Sequence, residues 1–305
     1  MNSELTSDSA PLAPGLYLVA TPIGNLGDIT LRALDVLRRA DRIACEDTRQ
    51  TQKLLNHFSI STPSESYHEH NERERAGPLV EALQSGARIA LVSDAGTPAI
   101  SDPGSHLVRA AIAAGVPVIP IPGASAAIIA LVASGLPAGE FQFFGFLPEK
   151  AGRRRTFLEQ LAATPAPGPR TWIFFEAPHR ILDTLADLES VFGPTLAIVV
   201  ARELTKIHEE FLRGPVAEIR GQMATRDRIR GEITLLVEAP SESGAKLASA
   251  PVPEKIAARI AAIQSESGVD EKEALKRLAR ELHRSRSDLY RELQRERTSA
   301  RHRLP

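Results

Sequence analysis

Short apolar runs alternate with amphipathic stretches along the first 240 residues of this 305-residue chain. Three of these runs pass directly into loops of Gly, Pro and small polar residues, namely Tyr17–Ala20 before Thr21–Asn25, Ile89–Val92 before Ser93–Pro98, and Val118–Ile121 before Pro122–Ser125. Strands that are apolar on both faces and separated by helices are typical of parallel α/β sheets. Because such sheets bind ligands beyond the carboxyl ends of their strands, the pattern predicts a small-ligand cleft there. Each loop taken singly is also explained by an ordinary Gly/Pro turn.

The helical stretches of the first half carry start signals. Asp28 or Thr30 is expected to cap the first helix, and Asp102 is expected to cap another with Pro103 at its first position. A further helix, from about residue 125 to 134, is apolar nearly all round. Such a helix is predicted to be buried against the sheet.

The second half repeats the alternation, with apolar runs over 171–175, 196–200 and 233–237. Strands near 212–219 and 232–238 are predicted to pair antiparallel, which gives a mixed sheet. The Phe-rich run over 141–146 is expected to lie mostly in the core, with base stacking as an alternative role.

The pattern divides the chain into five segments, a disordered tail over 1–14, an α/β domain over 15–137, a second α/β domain over 138–239, a linker over 240–253 and a helical domain over 254–305. In the last segment Asp270 is expected to cap a helix through Leu275, Leu278 and Leu282, and a short turn leads to a second helix through Leu289. This indicates a helix-turn-helix-like module. An αα-hairpin that packs on the body or on a partner chain fits equally well.

Composition narrows the class of protein. The chain is 43% hydrophobic and has one cysteine, Cys45, which excludes an internal disulfide framework or a multi-thiolate metal site and indicates a reducing compartment. No secretory signal is visible, so a cytoplasmic location is expected. The formal net charge is −1, but residues 254–305 hold 13 Lys and Arg against 9 Asp and Glu. This basic surplus fits RNA contact and a solvated helical surface equally well.

The loops lack the common nucleotide-binding motifs, and their composition favours a different kind of ligand. Neither G-x-G-x-x-G with its acidic partner nor G-x-x-x-x-G-K-[ST] is present. The loops offer uncharged backbone, small side chains and one carboxylate, Asp94. This set suits a ligand with a positive centre and an adenosine, such as S-adenosylmethionine.

Several runs of residues, in order along residues 15–240, resemble the ribosomal RNA small subunit methyltransferase I family. They are Thr21–Leu26, Glu46–Arg49, Ser93–Pro98 with Asp102–Gly104, Gly145–Pro148 and Ala201–Lys206. That family 2′-O-methylates a decoding-centre cytidine, cytidine-1402, of 16S rRNA. It belongs to the tetrapyrrole-methylase-like class, whose cofactor lies between two α/β domains, usually in a homodimer. The resemblance implies an α/β fold with two domains of this type flanking a cofactor cleft, plus a small C-terminal helical domain. It also implies S-adenosylmethionine as cofactor, 16S rRNA in the small ribosomal subunit as substrate, and no metal.

The resemblance also implies which residues contact the cofactor. They are Pro22, Ile23, Gly24 and Asn25 in the first loop, Asp94, Ala95, Gly96, Thr97 and Pro98 in the second, and Gly123, Ala124 and Ser125 in the third. Many relatives have Pro where this chain has Ala124, so the shape of the third loop is open. The run Arg230–Glu232 fits the family region near the adenosine end of the cleft.

Methyl transfer to a ribose hydroxyl requires alignment of donor and acceptor and removal of one proton. The candidates for handling that proton are Asp47, Glu46 and Glu203. Asp47 and Glu46 are equally well explained as an acidic pair at a helix N-terminus.

Four basic residues lie near these motifs, Arg49, Arg180, Arg202 and Lys206. They are predicted to bind RNA phosphates, and the alternative is that they pair with the candidate carboxylates Asp47, Glu46 and Glu203 and order the cleft. His179 could act as a general base, but a loop histidine that hydrogen-bonds to the backbone is the commoner case. The spacing of His68 and His70 resembles a metal site, but a solvated turn explains it better.

The sequence therefore predicts an S-adenosylmethionine-dependent RNA ribose methyltransferase. One rival is a methyltransferase of a tetrapyrrole or another small molecule, which the basic C-terminal segment and the Glu46–Arg49 cluster disfavour. A second rival is a non-catalytic RNA-binding assembly factor, which the three small-residue loops disfavour.

Overall fold

The structure is a computed structural model that describes residues 12–164 and 168–240 and, in the C-terminal part, residues 260, 263–264, 269–281, 290 and 293. The first half alternates strands and helices: β1 (Gly15–Val19), α1 (Leu31–Arg39), β2 (Arg42–Cys45), α2 (Thr48–His57), β3 (Ser64–Ser66), α3 (Glu72–Gln84), β4 (Arg88–Val92), α4 (Ser105–Ala113), β5 (Val118–Ile121) and α5 (Ala126–Ser134). The second half contains β6 (Phe141–Phe146), α6 (Ala151–Ala162), β7 (Thr171–Glu176), α7 (Ile181–Phe192), β8 (Ala197–Arg202), β9 (Glu210–Pro215), α8 (Val216–Ala224) and β10 (Ile233–Glu238). A further helix, α9, spans Glu271–Glu281.

The first sheet is parallel throughout, with the strand order β3-β2-β4-β1-β5. Ile43, Ile89 and Leu91 on its inner strands are at most 1% exposed, as expected for strands covered on both faces. Thr30 caps α1, since its Oγ1 accepts from Ala33 N at 3.1 Å. The parallel α/β sheet that the hydrophobic pattern predicted is confirmed.

The second sheet is mixed and has the order β6-β7-β10-β8-β9. The predicted pairing of strands near 212–219 and 232–238 is wrong, because β9 ends at Pro215 and pairs antiparallel with β8. β10 pairs antiparallel with β7 and β8 instead. Leu235, Leu236 and Val237 of β10 are fully buried, so this strand has no polar face and takes the central position.

Helix α5 belongs to the first half of the chain but packs on the second sheet. Its Ala130 and Leu131 share a buried cluster with Ile173, Val199 and Leu236. The prediction that this helix is buried against a sheet is confirmed for one face, but the sheet is the second one and not the sheet of its own half. Two of its apolar side chains, Ile128 and Val132, are 44% and 72% exposed.

Arg213 of β9 fixes the carboxyl end of α5. Its guanidinium donates to the carbonyl oxygens of Ala133 and Ser134 at 2.7 and 3.1 Å, and its Cζ lies 4.7 Å from the centre of the Phe211 ring. A cation at the carboxyl end of a helix stabilises the unpaired carbonyl groups there.

The segment before α4 also differs from the prediction. Gly104, with φ +132°, is the N-cap residue of α4, so Asp102 is not its cap. Ala99 and Ser101 also have positive φ angles, of 68° and 60°. These turns delay the start of the helix to Ser105 and leave Asp102 in a loop.

The Phe-rich strand β6 is less buried than predicted. Phe141 and Phe146 are 42% and 59% exposed, because β6 is the edge strand of its sheet. Phe144 stacks on buried Phe174 at 5.2 Å between ring centres and belongs to the core.

In the C-terminal part, Asp270 Oδ1 accepts from Glu273 N at 2.8 Å, which confirms it as the cap of α9. Leu275 and Leu278 are buried with Ile260, Ile263 and Leu293. Leu282 and Leu289 lie outside the described residues, as do the predicted tail and linker except for residues 12–14 and 240. The five-segment division of the chain stays a prediction. Among the described residues, no helix has the length and apolar character needed to cross a membrane.

Candidate functional site

The three small-residue loops meet at the carboxyl ends of β1, β4 and β5. Thr21 and Gly96 exchange two backbone hydrogen bonds, of 2.8 and 3.0 Å, which tie the first loop to the second. Thr97 Oγ1 donates to Ala124 O at 3.1 Å and ties the second loop to the third. The loops therefore form one continuous wall.

An apolar cavity of about 350 Å³ lies against this wall. Its lining combines the loop residues Ile23 and Ala95–Thr97 with residues of the second half, among them Phe146, Phe175, Leu204 and Ile233. Gly96 has φ +83°, and a β-carbon there would come within 3.3 Å of Ile23 Cγ2. The glycine keeps the backbone of the loop accessible to a ligand.

A more polar cavity of about 430 Å³ lies beside the first. It is lined by Pro22–Gly24 and Asp94 from the loops, by Gln50, Thr51 and Lys53 from α2, and by Lys206. Three residues line both cavities, Ile23, Ala95 and Glu232, and we refer to them as the shared wall.

The predicted cofactor residues divide between these surfaces. Ile23 and Ala95 line both cavities, Gly96 and Thr97 line the apolar cavity, and Pro22, Gly24 and Asp94 line the polar cavity. Asn25 accepts from Gly27 N at 3.0 Å and caps a short 3₁₀ turn. The others, Pro98, Gly123, Ala124 and Ser125, line neither cavity.

Four carboxylates lie at or near the second loop, namely Glu46, Asp47, Asp94 and Asp102, and the pKa values of Glu46 and Asp102 are raised. Burial raises the pKa of Asp102 to about 6, with the Asp94 charge adding to it and a hydrogen bond from Ser93 opposing it. Burial, with Asp94 and Asp102 nearby, also raises the pKa of Glu46. Asp94 Oδ1 accepts from Asp47 N at 3.0 Å. Asp102 lines the apolar cavity and Asp94 the polar one, so their charges act on whatever binds there.

Asp47 is held by its own helix. Its side chain accepts from Arg49 N at 2.8 Å and pairs with the Arg49 guanidinium at 2.9 Å, as an N-cap residue of α2. These hydrogen bonds lower the pKa of Asp47 to about 2. The geometry matches the alternative in which this carboxylate complements a helix N-terminus.

The loop after β8 brings two carboxylates and a lysine together. Lys206 Nζ donates to Glu203 Oε1 at 2.7 Å and to Glu232 Oε2 at 2.8 Å. The hydrogen bond from Lys206 lowers the pKa of Glu203. Burial opposes the charge of Lys206, but its hydrogen bonds to the two carboxylates outweigh burial and raise its pKa. Lys206 is therefore an ammonium ion at neutral pH.

The same loop, like the segment before α4, contains strained backbone. Glu203 and Thr205 have φ angles of 53° and 66°, which non-glycine residues rarely adopt. Gly231 passes so close to Glu203 that a β-carbon there would overlap its side chain. Strained backbone of this kind is common where a side chain must be held in one position.

The other basic candidates are also paired. Arg180 donates to buried Glu176 Oε1 at 2.6 Å, and its side chain is 14% exposed. Arg202 donates to Glu210 Oε2 at 3.1 Å. Arg226 pairs with Glu210 as well, and its hydrogen bond lowers the pKa of Glu210 to about 2. All four predicted RNA contacts therefore lie in ion pairs. Arg49 and Lys206 pair with the candidate carboxylates Asp47 and Glu203, as the alternative predicted, whereas Arg180 and Arg202 pair with other carboxylates. The role of all four in RNA binding stays a prediction.

The histidines take no evident part in the site. His179 is exposed and lines neither cavity. The His68 and His70 rings lie 5.9 Å apart. In the part of the chain that the structure describes, no group of three or more His, Cys, Asp or Glu side chains is placed to hold a metal ion.

Sequence reasoning missed three side chains of the site. Asp102 lies in a recognisable motif, but the pattern predicts a helix cap there and not a residue of the cavity lining. Glu232 also lies in a noticed run, but its position on the shared wall depends on the placement of β10. Lys53 gave no signal in the sequence. It lies three residues after Gln50, and this spacing of nearly one helical turn places both side chains at the polar cavity.

The chain matches a known family model and has close relatives among known proteins. Residues 15–220 match the model of the family described as Tetrapyrrole (Corrin/Porphyrin) Methylases. A protein of Halalkalibacterium halodurans named Ribosomal RNA small subunit methyltransferase I is 55% identical over 227 residues, which are 74% of this chain and 76% of that protein. A protein of the same name from Vibrio cholerae is 53% identical over 233 residues, 76% of this chain and 80% of that one.

Solved structures show the same fold at low sequence identity. Diphthine synthase has a TM-score of 0.57 and 16% identity over 73% of this chain and 89% of its own. The methyltransferase CobJ has a TM-score of 0.55 and 19% identity over 74% and 94%. The tetrapyrrole-methylase fold that the resemblance implied is confirmed.

Proposed function

The chain belongs to the ribosomal RNA small subunit methyltransferase I family, and from this membership we propose that it methylates the ribose 2′-oxygen of a decoding-centre cytidine in 16S rRNA. It is an S-adenosylmethionine-dependent methyltransferase. The observation that carries the proposal is the pair of cavities with a shared wall, because a transfer reaction needs a donor and an acceptor side by side.

The apolar cavity fits the methyl donor. Its lining is small and uncharged along Ala95–Thr97, where Gly96 keeps the loop backbone accessible. Asp102 supplies one carboxylate to the lining, which suits the positive sulfur of the donor. We propose that the first and second predicted loops hold the donor here, with Ile23, Ala95, Gly96 and Thr97 in contact with it, and that the third loop supports the second through the hydrogen bond from Thr97 to Ala124 O. When bound, S-adenosylmethionine supplies an activated methyl carbon.

The polar cavity fits a nucleotide. Lys53 Nζ donates to Gln50 Oε1 at 2.9 Å and forms no ion pair with a described residue. An ammonium group and an amide at the start of α2 offer donors to a phosphate or to sugar oxygens. Arg49, whose side chain is 87% exposed, extends this basic edge.

The reaction needs little from the protein beyond alignment and handling of one proton. The shared wall of Ile23, Ala95 and Glu232 brings the two ligands into contact. The ion pairs of Lys206 fix the carboxylates beside the polar cavity, so the acceptor oxygen meets a defined arrangement of charge. Proximity of this kind accounts for a large share of the rate in two-substrate transfers.

We further propose a homodimer that acts on the small ribosomal subunit in the cytoplasm, where its RNA substrate is found. The exposed apolar residues Ile128 and Val132, one turn apart on α5, support a protein interface. Light scattering of the wild type and of Val132→Lys tests the dimer, which the charged variant is expected to weaken.

The proposed function is tested by transfer of a labelled methyl group from S-adenosylmethionine to small ribosomal subunits that lack the modification. The labelled nucleotide is then mapped by nuclease digestion. Label on the 2′-oxygen of one decoding-centre cytidine is the expected result. Absence of label with intact donor binding would contradict it and direct the search to small-molecule acceptors.

A further inference from the structure

Glu232 is the titratable residue of the shared wall. Asp94 lines only the polar cavity, and Asp102 and Glu176 line only the apolar cavity. With a donor in one cavity and a ribose in the other, the reacting atoms meet at the shared wall. Ile23 and Ala95 have no group that exchanges a proton, so Glu232 is the member of this wall able to accept one.

The surroundings hold the Glu232 carboxylate in place and leave one oxygen available. Oε2 accepts from Lys206 Nζ at 2.8 Å, whereas Oε1 has no hydrogen-bond partner among the described residues. Its backbone N–H donates to Glu203 Oε1 at 3.1 Å. The side chain is 75% exposed, so Oε1 is open to a ligand hydroxyl.

The carboxylates named from the sequence are less suitable. Asp47 uses both oxygens on Arg49 and lines neither cavity. Glu203 Oε1 accepts hydrogen bonds from Lys206 Nζ and from the backbone N–H of Glu232. Glu203 also lines neither cavity. Glu46 does not line the apolar or the polar cavity.

We propose that Glu232 is the catalytic residue that binds the ribose 2′-hydroxyl and accepts its proton; this inference rests on the proposed function. The 2′-oxygen forms a bond to the methyl carbon as the bond from that carbon to sulfur breaks. The hydroxyl proton passes to Glu232 Oε1, the sulfur leaves as a neutral thioether, and the carboxyl group then returns the proton to water. No further reactant is required.

Lys206 is a positioning residue for Glu232. Its ammonium group fixes the Oε2 atom and thereby aims Oε1 at the acceptor. Several charged groups share the surroundings of Glu232. Lys206 and Glu203 contact it from the loop after β8, Lys53 and Asp94 line the polar cavity with it, and Asp102 and Glu176 line the apolar cavity with it.

Binding without turnover gives the first test. Small subunits are reconstituted with 16S rRNA that carries cytidine or 2′-deoxycytidine at the mapped acceptor position, and their affinities are measured without donor. Since a hydrogen bond to a charged group is worth about 1.5–3 kcal/mol, the wild type is expected to prefer the hydroxyl by about tenfold or more. Glu232→Ala is expected to bind both alike. An unchanged preference in Glu232→Ala would overturn the proposal.

Turnover gives the second test. General-base removal typically costs 10²–10⁴ in rate, so Glu232→Gln is expected to slow single-turnover methyl transfer by about 100-fold or more. Donor affinity is expected to stay within about threefold, and the remaining rate is expected to rise with pH as hydroxide replaces the carboxylate. Glu238→Gln, the same change at the other end of β10, is the matched control.

Each result decides the proposal. A Glu232→Gln rate within about threefold of wild type would overturn it, as would loss of donor or RNA binding that accounts for the whole defect. Should Glu232→Gln not fold, Glu232→Asp keeps the carboxylate and is expected to retain the hydroxyl preference. Absence of methyl transfer by the wild type would instead contradict the proposed function, since the variants are compared with it.

Discussion

The side chain of Lys206 lies directly against Gly24, so that a β-carbon at residue 24 would come within 2.5 Å of Lys206 Cγ. Gly24 belongs to the loop after β1, and Lys206 belongs to the loop after β8. The absence of a side chain at Gly24 thus allows the two halves of the chain to approach each other at the polar cavity. It also sets the position of the ammonium group that holds Glu232.

Gly24→Ala is expected to displace Lys206 and slow RNA methylation by about 100-fold, because an error of about 1 Å in a positioned group has effects of that size. Donor affinity is expected to change little, since Gly24 does not line the apolar cavity. Single-turnover rates and calorimetric donor binding check both parts. Gly77→Ala in α3, where a β-carbon meets nothing within 4 Å, is the control. Equal rates for the two variants would contradict the prediction.

Donor affinity is expected to depend on the ionisation of Asp102. The pKa of this residue is about 6, and a cation in the apolar cavity favours the carboxylate form. Affinity for S-adenosylmethionine is therefore expected to rise by up to about tenfold from pH 5 to pH 7 and to level off above. Calorimetry across this range measures it. Asp102→Asn is expected to remove this pH dependence of donor affinity. The control is Asp183→Asn, at an exposed position of α7, which is expected to retain it.

The same raised pKa affects folding stability. Because the folded-state pKa of Asp102 lies above its usual value of 3.8, the folded protein binds this proton more tightly than the unfolded chain. Stability is therefore lost as pH rises from about 4 to 6. Asp102→Asn is expected to increase the free energy of unfolding at pH 8 by about 1–3 kcal/mol. Denaturant unfolding at pH 4 and pH 8 checks this, and an equal effect at both values would contradict it.

Substitutions of Arg180 and Arg49 are expected to have different effects on stability and on RNA binding, although both residues are predicted to contact RNA. Arg180→Met leaves the buried Glu176 carboxylate without its cation, which typically costs about 3–5 kcal/mol of stability. Arg49→Met is expected to leave stability unchanged and to weaken RNA binding, with a smaller salt dependence. Denaturant unfolding and RNA binding at two salt concentrations separate the two effects. Equal stability of the two variants would contradict the assignment.

A chain that ends at Ser241 is expected to bind the donor as the full chain does, because every residue that lines the two cavities precedes that point. RNA affinity is expected to fall by about tenfold or more and to depend less steeply on salt, since the basic C-terminal segment is removed. Filter binding and calorimetry on both chains test this. Unchanged RNA affinity would restrict α9 and its neighbours to a packing role.

The sequence allowed accurate prediction of the elements that carry local signals. The three small-residue loops follow apolar strands, and Thr30 and Asp270 act as caps at the expected positions. The order of strands in the second sheet was not accessible in this way. The place of β10 between β7 and β8 depends on contacts far apart in the chain, and its hydrophobic pattern alone does not name its neighbours.

The candidate site also combines features that local sequence predicts with features that depend on contacts distant in the chain. Small residues in the loops predicted a ligand edge, but the role of a charged residue depends on its partners. Arg180 and Asp47 carry charges next to recognisable motifs, yet their side chains are engaged by Glu176 and Arg49. The sequence places Glu232 in the run Arg230–Glu232 but does not predict its role, because the shared wall forms only when both halves of the chain are folded.

The packing of α5 on the second sheet has a consequence for synthesis of the chain. Its partners Ile173, Val199 and Leu236 are translated 39 to 102 residues after Ser134, the last residue of the helix. Until β10 has emerged from the ribosome, β7 and β8 lack the strand that joins them, and the sheet that covers the buried face of α5 is incomplete. The first half of the nascent polypeptide thus completes its folding only when nearly all of the second half has been made.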